Sequence, residues 1–333
     1  MKLVNLTSMA AHAFSGLGPG EQPILTVIVK ETFTFTADGL TVVATKQIPI
    51  AFADDISATG ETRCEFDLAP FKPRTDITLL GKAYIPQSGS APSVDVTLHV
   101  GSVHKTLRVF GDRTWNAGGF FGGPKPNSPL PFAQMDLSYT KAYGGIDIIN
   151  GGACQENPIG KGCIADKAKK KTVEGRLLPN IENAQALIKT PDDRPAPSCF
   201  GVVGKGWQPR VKHLGTFDEA WQQKRAPRLP EDYSFEFHNA APRDQQIEGY
   251  LQGDESIELV NLTPEGRLIG RVPRVSIQVD VALHGSTNVD RLRMNLDTLC
   301  LMPDEKCMTA TWRGIYSISD QLASQVDKII VSI

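Results

Sequence analysis

The chain is short of the features that announce most activities. Aromatic residues make up only 7% of its 333 positions, too few to advertise a stacking platform for single-stranded nucleic acid. A formal charge of −2 gives no electrostatic footprint for a nucleic acid or an anionic membrane. No stretch approaches the roughly 18 apolar residues that a membrane-spanning helix needs. The opening MKLVNLTSMAAHAFSG has one Lys and no uninterrupted apolar stretch of signal-peptide length, so a cytoplasmic location is expected.

Reactive groups are equally sparse. The six Cys (Cys64, Cys154, Cys163, Cys199, Cys300, Cys307) form no disulfide scaffold for a chain of this length. The spacings Cys154 to Cys163 and Cys300 to Cys307 fit no common zinc pattern, and reduced, mostly buried thiols are expected. The six His (His12, His99, His104, His213, His238, His284) contain no HxH, HxxxH or HExxH, and His99 and His284 fall at outward positions of expected strands. There is no GxSxG elbow, and Cys199 in SCFG reads as structural. GLGPG (Gly16 to Gly20) and GVVGKG (Gly201 to Gly206) lack the phosphate-loop spacing. Lys161, Lys167, Lys169, Lys170 and Lys171 read as a solvated loop. No catalytic nucleophile, metal or cofactor is expected.

What is present is strand. Apolar residues at 41% and charged residues at 22% describe an ordinary globular chain. ILTVIVKETFTFT is β-branched and aromatic, and Asp38-Gly39 supplies a turn into LTVVATKQIPI. In VDVTLHVGSVHKTLRVF, Val94, Val96, Leu98 and Val100 alternate with polar residues, and Gly101-Ser102 marks a reversal. VSIQVDVALHG alternates in the same way, turns at Gly285 to Asn288, and continues as VDRLRMNLDTLCLM with Leu292, Met294 and Leu296 inward. The fold class expected is mainly β, with antiparallel sheets as a sandwich or barrel-like arrangement. Leu79-Leu80-Gly81-Lys82 before VDVTLH resembles Leu268-Ile269-Gly270-Arg271 before VDVALH, through duplication or through convergence on a shared strand vocabulary.

Three segments follow: an N-terminal β-unit over 1–110, a Gly/Pro-rich loop segment over 111–232, and a C-terminal β-unit over 233–333, together one integrated domain. Two short helical signals stand out in the middle, IENAQALIK from Ile181 and TFDEAWQQKR with Thr216 as the cap.

One stretch is crowded with chemistry, HNAAPRDQQIEGYLQGDESIEL from His238 to Leu259. Asp244 and Glu248 could pair as acid and base beside His238, and Asp254 with Glu255 could hold a hard cation. Adjacent carboxylates on a strand point to opposite faces, which leaves turn-capping and backbone binding as the alternative. Asp244, Gln245, Asp254 and Glu255 are therefore expected to be tied mainly to backbone or to Arg.

The order of short words along the chain carries more. GDRTW, PFAQMDLSYTKAYGG, ENPIGKG, LPN, SCFGVV, WQPR, GTFDEAW and PRLPEDYSFEFHNAAPRDQQIEGYLQGDESIEL occur in sequence. Over about Asn5 to Pro273 the chain resembles the domain-of-unknown-function 2169 family (DUF2169), found in bacteria with type VI secretion systems. The resemblance implies a non-enzymatic cytoplasmic adaptor or chaperone that binds a cognate toxic effector, often through a PAAR-type region, and helps load it on the spike trimer. It brings no catalytic residues. The family words hold Trp115, Phe132, Tyr143, Trp207, Arg210 and Trp221, residue types that dominate interface hot spots, and Asn157 and Pro158 as a candidate structural motif. Addition of a strand at a sheet edge is a second binding mode. The rival readings are a hydrolase built on His238, Asp244 and Glu248, and a carbohydrate-binding β-sandwich with aromatics flat on one face.

Overall fold

The β-branched run beginning at Pro23 becomes a 13-residue strand that spans two separate cores. The computed structural model describes residues 1–118, 122–164, 173–318 and 326–333. Three sheets organise these residues. Their strands begin with β1 (Lys2–Asn5), β2 (Ala10–Leu17), β3 (Pro23–Phe35), β4 (Thr41–Val43) and β5 (Thr75–Leu79). β6 (Ser93–Val100), β7 (Val103–Phe110), β8 (Ile181–Asn183), β9 (Gln246–Ile247) and β10 (Ser256–Val260) follow. The last are β11 (Arg267–Arg271), β12 (Gln278–Leu283), β13 (Val289–Leu292), β14 (Asn295–Met302), β15 (Cys307–Ser317) and β16 (Val326–Ser332).

The large sheet has the order β9-β5-β14-β15-β3-β2, with β4 paired to β3. The five-stranded sheet is β8-β7-β6-β10-β11, and the four-stranded sheet is β1-β16-β12-β13. The fold is mainly β, with multiple antiparallel ladders and no closed barrel among the described residues. Within these three sheets, two pairings depart from the antiparallel expectation: β5 with β14 and β1 with β16 run parallel. Strands from opposite ends of the chain are neighbours there, so no hairpin dictates their direction.

Alternation assigns the faces. Phe33 and Phe35 on β3, with Leu299, Leu301 and Met308, pack against Val96, Leu98, Leu107 and Leu259 of the five-stranded sheet. Farther back along β3, Leu25, Val27 and Val29 pack against Val279, Val281, Ile329 and Val331 of the four-stranded sheet. The opposite face of the large sheet is polar yet buried. There Lys30 pairs with Asp67 at 2.8 Å, Lys72 with Asp76 at 2.8 Å, and Arg313 with Asp297 at 2.6 Å. Arg313 also donates to the carbonyls of Asp67 and Ala69, which pins the covering segment to the sheet.

The three expected hairpins form as β3/β4, β6/β7 and β12/β13. VDRLRMNLDTLCLM is not one strand. Its first part is β13 in the four-stranded sheet, and after Arg293-Met294 it becomes β14 in the large sheet. IENAQALIK is not helical either. Ile181–Asn183 is the strand β8, paired to β7, because that register buries Ile181 and brings the Glu182 carboxylate to buried Arg113. The helix of TFDEAWQQKR forms as α1 (Glu219–Lys224), but Asp218 caps it by accepting from Trp221 N, while Thr216 binds Asp232. The two similar words occupy different settings: Leu79 ends β5 and Leu80-Gly81 breaks it from the short strand Lys82–Tyr84, whereas Leu268 to Arg271 lies inside β11.

Candidate functional site

The loop segment is fixed to the sheets by buried charges. On β7, Val103, Lys105, Leu107 and Val109 share the inward face, so the Lys105 ammonium is delivered to the interior. It donates to Cys199 O at 2.9 Å, Asp244 Oδ1 at 3.0 Å and Gln245 Oε1 at 2.8 Å. Burial pulls the Lys105 pKa below the ordinary lysine value, against the opposing pull of Asp244. Gln245 in turn donates to the carbonyls of Ile77 and Phe200, so one buried amide ties together a strand of each larger sheet and the loop.

Lys105 and Asp244 line a cleft of about 580 Å³, whose wall also includes Ser198, Arg210, His213 and Arg243. A second hollow of about 680 Å³ adjoins it, and Glu156 and Gln208 line both. Arg210 is part of the frame, not a free cation. It makes a two-pronged pair with Glu65 at 2.5 and 2.9 Å, and it donates to Val203 O and Phe237 O. Arg113 and Glu182 form a second buried pair, in which burial pushes the Glu182 carboxyl up and the Arg113 guanidinium down.

The three groups of the hydrolase reading do not converge. His238 is bonded to Tyr233 OH at 2.8 Å, and burial holds its pKa down to about 3. Asp244 goes to Lys105, and Glu248 to Arg243 at 2.7 Å on the surface. Among the described residues no group of three or more His, Cys, Asp or Glu could hold a metal ion. The lysines 167, 169, 170 and 171 lie outside the described residues.

Asp254 and Glu255 precede β10 instead of lying on it, which corrects the argument from opposite strand faces. Asp254 has φ +69° and pairs with Arg274 at 3.3 Å, while Glu255 accepts from the N–H groups of Gln252 and Gly253. They form a corner, as Asp and Asn favour in the left-handed region. The expectation of backbone or Arg partners describes Gln245, Asp254 and Glu255; Asp244 is held by Lys105.

Of the six candidate contact residues, Trp115, Tyr143, Trp207 and Arg210 are buried. Trp207 stacks edge-on against Tyr139, and Trp115 packs with Tyr143, Ile164 and Leu178. Phe132 and Trp221 are half-buried, and Trp221 Nε1 donates to Arg228 O. The carbohydrate-module reading needs aromatic rings on an exposed sheet face, yet Trp115, Trp207 and Trp312 are interior. Asn157 is fully buried and donates to the carbonyls of Tyr139 and Tyr143, with half-buried Pro158 beside it. A Cβ on Gly160 would lie 2.4 Å from Asn157 Nδ2, so only glycine fits against this amide.

Sequence reasoning missed a surface that this region presents. Ile146, Ile148 and Ile149 are 63%, 89% and 57% exposed, around an Asp147 side chain with no exposure at all. Asp147 accepts from the N–H groups of Ile149 and Asn150 and pairs with Arg176. A buried carboxylate thus folds the tip GIDIIN so that its isoleucines face solvent. The tip continues into Asn150, Gly151 and Gly152, which line the second hollow. The usable signal was three isoleucines flanking one Asp in an otherwise Gly-rich word.

A family model described as an uncharacterized protein conserved in bacteria (DUF2169) matches residues 20–313. The match runs beyond Pro273, through β12, β13 and β14 into β15. No curated protein and no solved structure matches the chain.

Proposed function

As the chain belongs to the DUF2169 family, we propose that it is a non-enzymatic adaptor of type VI secretion. It binds a toxic effector in the cytoplasm, through a PAAR-type or adjacent region, and hands it to the spike trimer. The secretion context comes from the family resemblance; the structural support is the surface around the second hollow. An apolar tip led by Ile148, 89% exposed, stands beside two adjoining hollows on a frame pinned by buried charges. Exposed apolar groups clustered next to concave polar surface favour protein partners. A stable complex would involve roughly 800 Å² on each side, more than the tip alone, so the hollows and the tip act together.

The test is co-expression with a PAAR-containing or toxin gene from the same locus, with the tag on one partner. A soluble complex that survives size exclusion supports the reading. An effector that stays soluble alone and never co-purifies contradicts it.

A further inference from the structure

Among the described residues, the last strand of the large sheet has a neighbour on one side alone. β2 (Ala10–Leu17) pairs with β3 alone, and it is the terminal strand of the sheet. The hairpin fixes which backbone groups face outward. Gly18 N donates to Gln22 O and Gly18 O accepts from Glu21 N, so Gly18 turns both backbone groups toward the β3 side. In an antiparallel ladder this orientation recurs at every second residue. Ala10, His12, Phe14 and Gly16 therefore bond to β3, and Ala11, Ala13, Ser15 and Leu17 direct their N–H and C=O groups away from it. The far side of β3 has the complementary phase, since Ile318 N donates to Pro23 O. No described residue hydrogen-bonds the outward groups of β2.

An edge of this kind is usually blunted by charge, proline or a bulge. β2 reads AAHAFSGL and has none of these over eight residues in continuous register. Two terminal strands of the other sheets differ: β11 carries Arg267 and Arg271, and β13 carries Asp290 and Arg291. The two faces beside the β2 edge are apolar. Ala11 and Ala13 pack with the second core, and on the other face His12 meets Phe14 and the exposed Phe52 ring at 5.1 Å.

We infer that β2 accepts an extended, uncharged segment of a partner protein as a further strand of the large sheet. This rests on the partner-binding reading above and adds how the partner is held. Alternating outward N–H and C=O groups, hydrated in the free protein, match in spacing and direction another extended backbone about 4.8 Å away. The occupant is a partner peptide, not a second copy. Side chains as small as Ala10, Ala11, Ala13, Ser15 and Gly16 offer little of the area, about 1,200 Å² or more, that a stable pair of globular chains needs. Strand addition instead draws its affinity from main-chain hydrogen bonds. The segment should alternate β-branched or aromatic residues, which extend the rows of Ala11/Ala13 and of His12/Phe14.

The test uses the full chain and a lysine-flanked peptide of four Thr-Val repeats, read by amide hydrogen exchange. The amides of Ala11, Ala13, Ser15 and Leu17 should exchange quickly in the free protein and slow when the peptide is added. Ser15→Pro removes an outward donor and leaves the β2/β3 ladder whole, so it should weaken peptide binding about tenfold or more at an unchanged melting temperature. Ser15→Lys, which also keeps the fold, should do the same. Absence of protection, binding by both variants as tight as by wild type, or a wild-type dimer in sedimentation with those amides already protected would each overturn the inference. Failure of an effector to co-purify with wild type would count against the adaptor reading and would leave these peptide readouts as they stand.

Discussion

Lys105 Nζ lies 2.8 Å from Gln245 Oε1, and Gln245 Nε2 lies 2.8 Å from Ile77 O. Through this pair the five-stranded sheet, the large sheet and the wall of the cleft are one polar unit. The crowded stretch from His238 onward owes its polar residues to such connections. Gln245 is fully buried, and Asp76 receives Asn239 Nδ2 and the N–H groups of Ala240 and Ala241.

Lys105→Met should therefore destabilise the fold by about 2 to 4 kcal/mol, because Gln245 Oε1 and Cys199 O lose their donor inside the protein. Urea unfolding of the variant checks this. A change below about 0.5 kcal/mol would mean that the amide turns or a water replaces the ammonium without loss.

The Arg210–Glu65 pair should show strong coupling. Arg210→Ala alone leaves a carboxylate with 12% side-chain exposure facing the frame, and the expected loss is about 3 to 5 kcal/mol. In a double-mutant cycle with Glu65→Gln, the losses should be far from additive.

His238 gives the fold an acid sensitivity. Its folded pKa is about 3, set first by burial and then by nearby cations such as Lys72 and Arg210, against an unfolded value near 6.5. Between these values the unfolded chain binds the proton and the folded chain does not, so stability falls as pH drops from about 6.5 toward 3. The full effect is roughly 3 to 5 kcal/mol. Unfolding free energies at pH 7, 5 and 4 should decline less steeply in His238→Gln than in wild type.

Asp254 should behave as a backbone position more than as a charge. Its Arg274 partner is 78% exposed, and such pairs contribute about 1 kcal/mol at most. The φ of +69° makes Asp254→Gly as stable as wild type, whereas Asp254→Val should lose about 1 to 2 kcal/mol. Thermal melts of the two variants separate these causes.

The strands were legible where one alternation controlled one face, as in β3, β6 and β7. The same alternation also placed Lys105 inward beside Val103 and Leu107, although a charged residue there reads at first as an outward one. Other features were set by contacts distant in sequence. β8 is a strand because β7 pairs with it and Arg113 waits for Glu182. The change of sheet at Arg293-Met294 has no local mark, since both flanks alternate. Trp115, Tyr143 and Trp207 looked like contact residues because large aromatics serve cores and interfaces alike. The exposed tip at Ile148 was hidden by the opposite prejudice, that isoleucine belongs inside.

The central claim is that the Ile148 tip and its neighbouring hollows hold an effector. Its most direct measurement is co-purification of a PAAR-containing or toxin protein from the same locus by wild type, by Ile148→Asp/Ile149→Asp and by Glu156→Lys. All of these positions are exposed, so the melting temperatures should be unchanged. The account predicts a soluble complex with wild type and at least a tenfold loss, about 1.4 kcal/mol, in each variant. Equal recovery of the effector by wild type and both variants would contradict it.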